Sequence, residues 1–254
     1  MKSFDKIIIA NWKMQLTVSQ AEKQAKKIKK LLSKSRLDKK TAIVVCPDFL
    51  ALTEIADVFK GTRVAYGAQD GFAEDVGAYT GEESFKNLKA IGCDYVIIGH
   101  SERREMGETD KIINKKVRAA LKNDLTPIIC IGETFDERKE GNKDLVLMHQ
   151  VHQALYNIEL KQAQQIIIAY EPVWVIGSGQ AISMVEADHT AAVIRQHIID
   201  ALDGHDLSSF SIIYGGSVSP DNIRQFTSLK NIKGALVGTA SLRAEIFVEL
   251  IKNA

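Results

Sequence analysis

Short apolar runs rich in β-branched residues recur along the whole chain: Lys6–Ala10, Ala42–Cys46, Val64–Ala68, Tyr95–Ile98, Pro127–Ile131, Ile166–Tyr170, Ser211–Tyr214 and Ala235–Val237. None alternates cleanly with polar residues, which predicts strands covered on both faces, as in a parallel sheet. The stretches between them carry helical spacing. Thr17-Val18-Ser19-Gln20 has the form of a capping box, and Val18, Ala21, Ala25, Ile28 and Leu32 then line one helix face. Ser183-Met184-Val185-Glu186 reads as a second such start, followed by Ala187, Ala191, Ile194 and Ile198. Eight strands alternating with helices over about 250 residues predict one α/β domain, a closed (β/α)8 barrel spanning residues 1–254. A doubly wound open sheet is the structural rival, because alternation alone does not settle closure.

Polar residues collect where the runs end. Asn11 and Lys13 follow the first, Gln69 the third, Gly99-His100-Ser101-Glu102 the fourth, and Glu171 the sixth. Gly215-Gly216-Ser217 follows the seventh and Gly238-Thr239 the eighth. In a barrel these segments share the C-terminal face, where active sites are built.

Composition narrows the class. Apolar residues at 45% suffice for a full core, and a formal net charge of +1 gives no attraction to nucleic acid or an anionic membrane. Cys46, Cys93 and Cys130 lack C-x-x-C spacing, so neither a disulfide framework nor a zinc ribbon is expected, and a reducing compartment is the natural home. The opening Ile7-Ile8-Ile9-Ala10 is too short for a signal-peptide core, and nothing later is long enough to span a bilayer. A cytoplasmic location is expected.

Glu171 sits at the end of a buried run, where partial dehydration makes a carboxylate a better base. Pro172-Val173-Trp174 and then Gly177-Ser178-Gly179 follow it: a stiff hinge, a large apolar residue and a glycine-rich tip, as in a lid that excludes water. The bland reading of Glu171 is a salt-bridged strand-end residue; the lid favours a catalytic base. His100 ends a run and precedes a polar segment able to start a helix, whose positive end would keep the imidazole neutral and donating. Lys13 is one lysine among many, and gains interest from two candidate phosphate cradles, Tyr214–Val218 and Leu236–Ala240. His149 and His152 share a helical face without a further metal ligand nearby in sequence.

These segments resemble one family, triosephosphate isomerase, over nearly the whole chain. The likeness rests on Asn11-Trp12-Lys13-Met14, Gly77-Ala78-Tyr79-Thr80-Gly81-Glu82, Ile98-Gly99-His100-Ser101-Glu102-Arg103-Arg104, Cys130-Ile131-Gly132-Glu133, Ala169-Tyr170-Glu171-Pro172-Val173-Trp174 and Tyr214-Gly215-Gly216-Ser217-Val218. The resemblance implies a TIM barrel, usually a homodimer joined by the loop around Thr80, interconverting dihydroxyacetone phosphate and glyceraldehyde 3-phosphate without a cofactor or metal. It implies Glu171 as base, His100 as neutral electrophile, Lys13 and Asn11 touching substrate, and Glu102 in the supporting network. Gly177, Ser217, Gly238 and Thr239 would form the phosphate site. Gln15, Asp70, Val175, Ser178 and Thr239 depart from the commonest family pattern; Asp70 stands where Asn often follows the Gln, and altered contacts at the subunit interface are expected from it. The weighed alternatives are another phosphosugar barrel enzyme, an epimerase or aldolase, and a non-catalytic barrel scaffold. An epimerase would need His and Asp metal ligands at strand ends, where only His100 occurs.

Overall fold

In the computed structural model, which describes residues 4–38, 40–177, 180–202 and 210–254, the eight runs form eight parallel strands closed in sequence order, first to last. The order is β1 (Lys6–Asn11), α1 (Val18–Ser33), β2 (Thr41–Cys46), α2 (Leu52–Phe59), β3 (Val64–Ala68), α3 (Phe85–Ala90) and β4 (Tyr95–Ile98). There follow α4 (Ser101–Glu105), α5 (Asp110–Lys122), β5 (Thr126–Ile131), α6 (Phe135–Lys139), α7 (Lys143–Leu155), α8 (Leu160–Ala163) and β6 (Ile167–Tyr170). The chain ends with α9 (Met184–Ala201), β7 (Ser211–Tyr214), α10 (Ile223–Thr227), β8 (Gly234–Val237) and α11 (Ala244–Asn253). Closure removes the open-sheet alternative.

The strands read as unbroken apolar runs because each feeds two cores. Ile7, Ile9, Val44, Ile97, Ile128 and Ile213 point into the barrel. Their neighbours Ile8, Ala10, Ile43 and Val45, and on the far side Val96, Ile98, Ile129 and Ile168, meet the helices. Trimming one such isoleucine to alanine costs roughly 2–5 kcal/mol. The β8–β1 seam needs a glycine: a Cβ on Gly234 would lie 1.8 Å from the Ile7 carbonyl oxygen.

The capping box of α1 forms as read, with the Thr17 hydroxyl accepting from Gln20 N–H at 3.4 Å and Gln20 Oε1 accepting from Thr17 N–H at 2.9 Å. At α9 only half of it forms. Ser183 accepts from Glu186 N–H (3.2 Å), but the Glu186 carboxylate is taken by Arg138, 48 positions away. The predicted face of α9 is nevertheless buried at Ala187, Ala191, Ile194 and Ile198.

Candidate active site

A cavity of about 630 Å3 opens at the C-terminal ends of the strands. Asn11, Lys13, His100, Glu171, Gly177, Ser217, Gly238 and Thr239 all line it; Glu102 stands behind His100.

Lys13 leaves β1 in the left-handed region (φ 50°), a conformation costly for a residue with a side chain and held by bonds on both sides. Its N–H donates to Asn11 Oδ1 (3.1 Å), and its carbonyl accepts from Gln69 Nε2 (3.0 Å). Its ammonium meets Glu102 Oε1 at 2.5 Å.

His100 caps α4. Its Nδ1 accepts the Glu102 backbone N–H at 3.2 Å, which requires a lone pair on that nitrogen. The other ring nitrogen, Nε2, lies 3.5 Å from Glu171 Oε1. The predicted helix start thus places one directed N–H on the ring.

Glu171 extends β6, its N–H donating to the Ile131 carbonyl at 2.8 Å. The residue is only 2% exposed. Its Oε2 accepts Ser101 N–H at 3.3 Å. Two glycines make room for it: a Cβ on Gly215 would stand 2.6 Å from Glu171 Cγ, and one on Gly132 would stand 1.7 Å from the Glu171 carbonyl oxygen. Beside it, burial and then the Glu171 charge push the Cys130 thiol well up, keeping it protonated.

The hinge after Glu171 forms one 3-10 turn, Val173–Val175, and Gly177 sits exposed at φ 73°. Ser217 Oγ donates to the Val175 carbonyl at 3.0 Å, joining the glycine loop after β7 to this turn. Ser178 and Gly179 lie outside the described residues.

Three side chains with supporting roles went unassigned in the sequence. Glu133, wholly buried at the end of β5, accepts from Trp174 Nε1 (3.0 Å) and Tyr170 OH (3.2 Å), while its carbonyl accepts Val173 N–H (3.1 Å). It ties the lid to the barrel. Its signal was present: a carboxylate just past the end of a buried strand, one glycine further on than at Glu171. Arg104 donates to the Gly99 carbonyl (2.9 Å) and to Asp110 (2.6 Å), and Arg138 stacks 4.6 Å from the Trp174 ring centroid. Asp70 is engaged within its own chain, its carboxylate bonded to Lys116 at 2.7 and 2.8 Å. Neither His149, 3.5 Å from Asp110, nor His152, 6.4 Å ring to ring from His197, joins a cluster suited to a metal among the described residues.

A closed parallel barrel whose mouth gathers a carboxylate, an imidazole and a lysine around one cavity defines the class: a (β/α)8 barrel enzyme. Residues 6–254 match the family model for triosephosphate isomerase. The triosephosphate isomerase of Caldanaerobacter subterraneus subsp. tengcongensis is 45% identical over 246 residues, 96% of this chain and 98% of that protein. That of Moorella thermoacetica is 43% identical, covering 96% of this chain and 97% of its own. The crystal structure of triosephosphate isomerase from Bartonella henselae superposes with a TM-score of 0.87 at 33% identity, covering 98% of this chain and 99% of that one. The chain belongs to the triosephosphate isomerase family, and as such is an aldose–ketose isomerase.

Proposed function

We propose that the chain interconverts D-glyceraldehyde 3-phosphate and dihydroxyacetone phosphate through an enediolate, as one catalytic domain spanning 1–254. Glu171 removes a proton from the carbon beside the carbonyl and returns it to the neighbouring carbon. His100 Nε2–H and the Lys13 ammonium stabilise the oxygen on which charge develops, and Asn11 borders the same space. The observation that carries this is the facing pair, His100 Nε2 and Glu171 Oε1, 3.5 Å apart at the cavity, with the other imidazole nitrogen already engaged. In this resting arrangement Glu171 rests on Ser101 N–H, so it turns off that donor to reach carbon.

Backbone N–H groups of Gly177, Ser217, Gly238 and Thr239 hold the phosphate. A side chain at 239 does not prevent this, since any non-proline residue offers its N–H. Phosphate binding draws the lid over the enediolate, excluding water and opposing loss of phosphate. No cofactor or metal takes part. A coupled assay following NADH consumption by glycerol-3-phosphate dehydrogenase from glyceraldehyde 3-phosphate tests the activity. Turnover that disappears in Glu171→Gln is expected; no turnover in the wild type overturns the reading.

The assembly is a homodimer. The loop carrying Thr80 is pinched at its base by Phe72 N–H donating to the Glu83 carbonyl (2.8 Å), so it projects. Val76 on it is 83% exposed, and Met14, beside the Lys13 carbonyl that Gln69 anchors, is 88% exposed. Apolar side chains this bare favour burial by a second copy. Light scattering on the eluting protein is expected to give twice the chain mass, and a monomer would remove the claim. A cytoplasmic location is supported by three buried, unbonded cysteines, and no helix among the described residues is long and apolar enough to cross a membrane.

A further inference from the structure

Four charges lie together under the wall that carries His100. Asp70 bonds Lys116 through both oxygens, at 2.7 and 2.8 Å, and Arg103 Nε lies 2.8 Å from Asp70 Oδ2. Arg103 also reaches Glu108 Oε1 (2.5 Å), and Lys116 bonds the same Glu108 oxygen. Each cation therefore touches both carboxylates, and the two signs balance. The side chains of Asp70, Glu108 and Lys116 are nearly buried, at 8%, 7% and 4% exposure. A buried charge left without its counter-charge is strongly unfavourable.

The position of this cluster gives it a role. Asp70 directly follows Gln69, whose amide holds the Lys13 and Cys46 carbonyls. Arg103 belongs to α4, the five-residue helix whose Glu102 N–H donates to His100 Nδ1 and whose Glu102 carboxylate holds the Lys13 ammonium. So short a helix has little stability of its own, and its place is set by what its side chains grip. One tie, Gln69, thus fixes the Lys13 backbone; the adjacent one, Asp70, fixes the helix that aims at the Lys13 side chain and at His100.

We propose that Asp70 is a positioning residue for the isomerisation: through Arg103 and Lys116 it fixes α4, and thereby the orientation of His100 and Lys13 toward substrate. An asparagine at 70 would leave Arg103 and Lys116 facing Glu108 alone, with one positive charge uncompensated. The role expected of Asp70 from sequence lay at the subunit interface; this one lies at the catalytic pair. It rests on the function proposed above.

The test is Asp70→Asn beside Asp70→Asn/Lys116→Gln, in which the cluster is again neutral. Asp70→Asn is expected to lower kcat on the order of 10-fold, within the roughly 10²-fold that a 1 Å misplacement can produce, with KM changed less than about 2-fold. The His100 ring nitrogen resonances should shift, while the mass by light scattering stays that of the wild type. The double variant should recover most of kcat; if the single variant fails to fold, Asp70→Glu, which keeps the charge on a longer arm, should fold with lowered kcat and shifted His100 resonances, and wild-type values there would overturn the proposal. Wild-type kcat and unmoved His100 resonances in Asp70→Asn would overturn the proposal. So would a kcat loss that tracks dissociation into monomers, or a double variant no better than the single. An inactive wild type would instead refute the proposed function, which keeps the two failures apart.

Discussion

The two walls of the cavity are held in opposite ways. On the α4 wall, Arg103 and Arg104 grip acids and carbonyls on the flanking elements, and Glu102 grips Lys13. On the lid wall, a single 3-10 turn is held by Trp174 Nε1 on Glu133 and Ser217 Oγ on the Val175 carbonyl, and a Cβ added at Gly177 would meet nothing within 4 Å among the described residues. In the proposed function the first wall carries the donors, which must stay put while charge develops on oxygen. The second carries the base and the proposed lid, which would close over bound substrate. Several charge-assisted bonds hold the first wall, whereas the turn on the second has one, from Trp174 to Glu133, with the Arg138 stacking and neutral bonds beside it.

The largest effect expected from breaking this contrast is at the base. Glu171→Asp draws the carboxylate back by about one methylene, so kcat should fall roughly 10²-fold or more with KM little changed; steady-state kinetics with either triose phosphate checks it. Next is the fixed wall: His100→Ala removes one preorganised donor, and kcat should fall about 10²–10³-fold. Trp174→Phe acts on the moving wall. It deletes the bond to Glu133 and should lower stability by about 1 kcal/mol, read in denaturant unfolding, while raising the fraction of enediolate lost to phosphate elimination.

The smallest effect concerns α9, which follows the lid. Burial and then His152 hold the His197 imidazole below its ordinary value of 6.5, with Asp200 and Asp144 opposing weakly. The folded chain therefore resists a proton that the unfolded chain accepts, so stability is unaffected above about pH 6.5 and falls as the pH drops below it. Melting temperatures across that range should decline less in His197→Gln than in the wild type.

The barrel was legible because parallel strands buried on both faces leave continuous apolar runs, and the proposed catalytic pair stood out because polar residues at their ends have few other reasons to be there. Contacts across long sequence separations were not. Glu186 reads as a capping residue until Arg138, from another helix, takes its carboxylate. Asp70 reads as a departure from the family pattern bearing on the subunit interface; its bond to Lys116, 46 positions on, does not show in sequence. The helices α6, α8 and α10, at five, four and five residues, are too short to show a period.

The central claim is that Glu171 and His100 serve one bound triose whose phosphate lies on the late glycine loops. A crystal structure with 2-phosphoglycolate, whose carboxylate imitates the enediolate, tests it most directly. The account predicts the phosphate on the N–H groups of Gly177, Ser217, Gly238 and Thr239. The ligand carboxylate should lie between His100 Nε2 and Glu171, with Glu171 turned away from Ser101. A ligand bound elsewhere, or Glu171 still seated on Ser101 N–H with the phosphate off those loops, would contradict it.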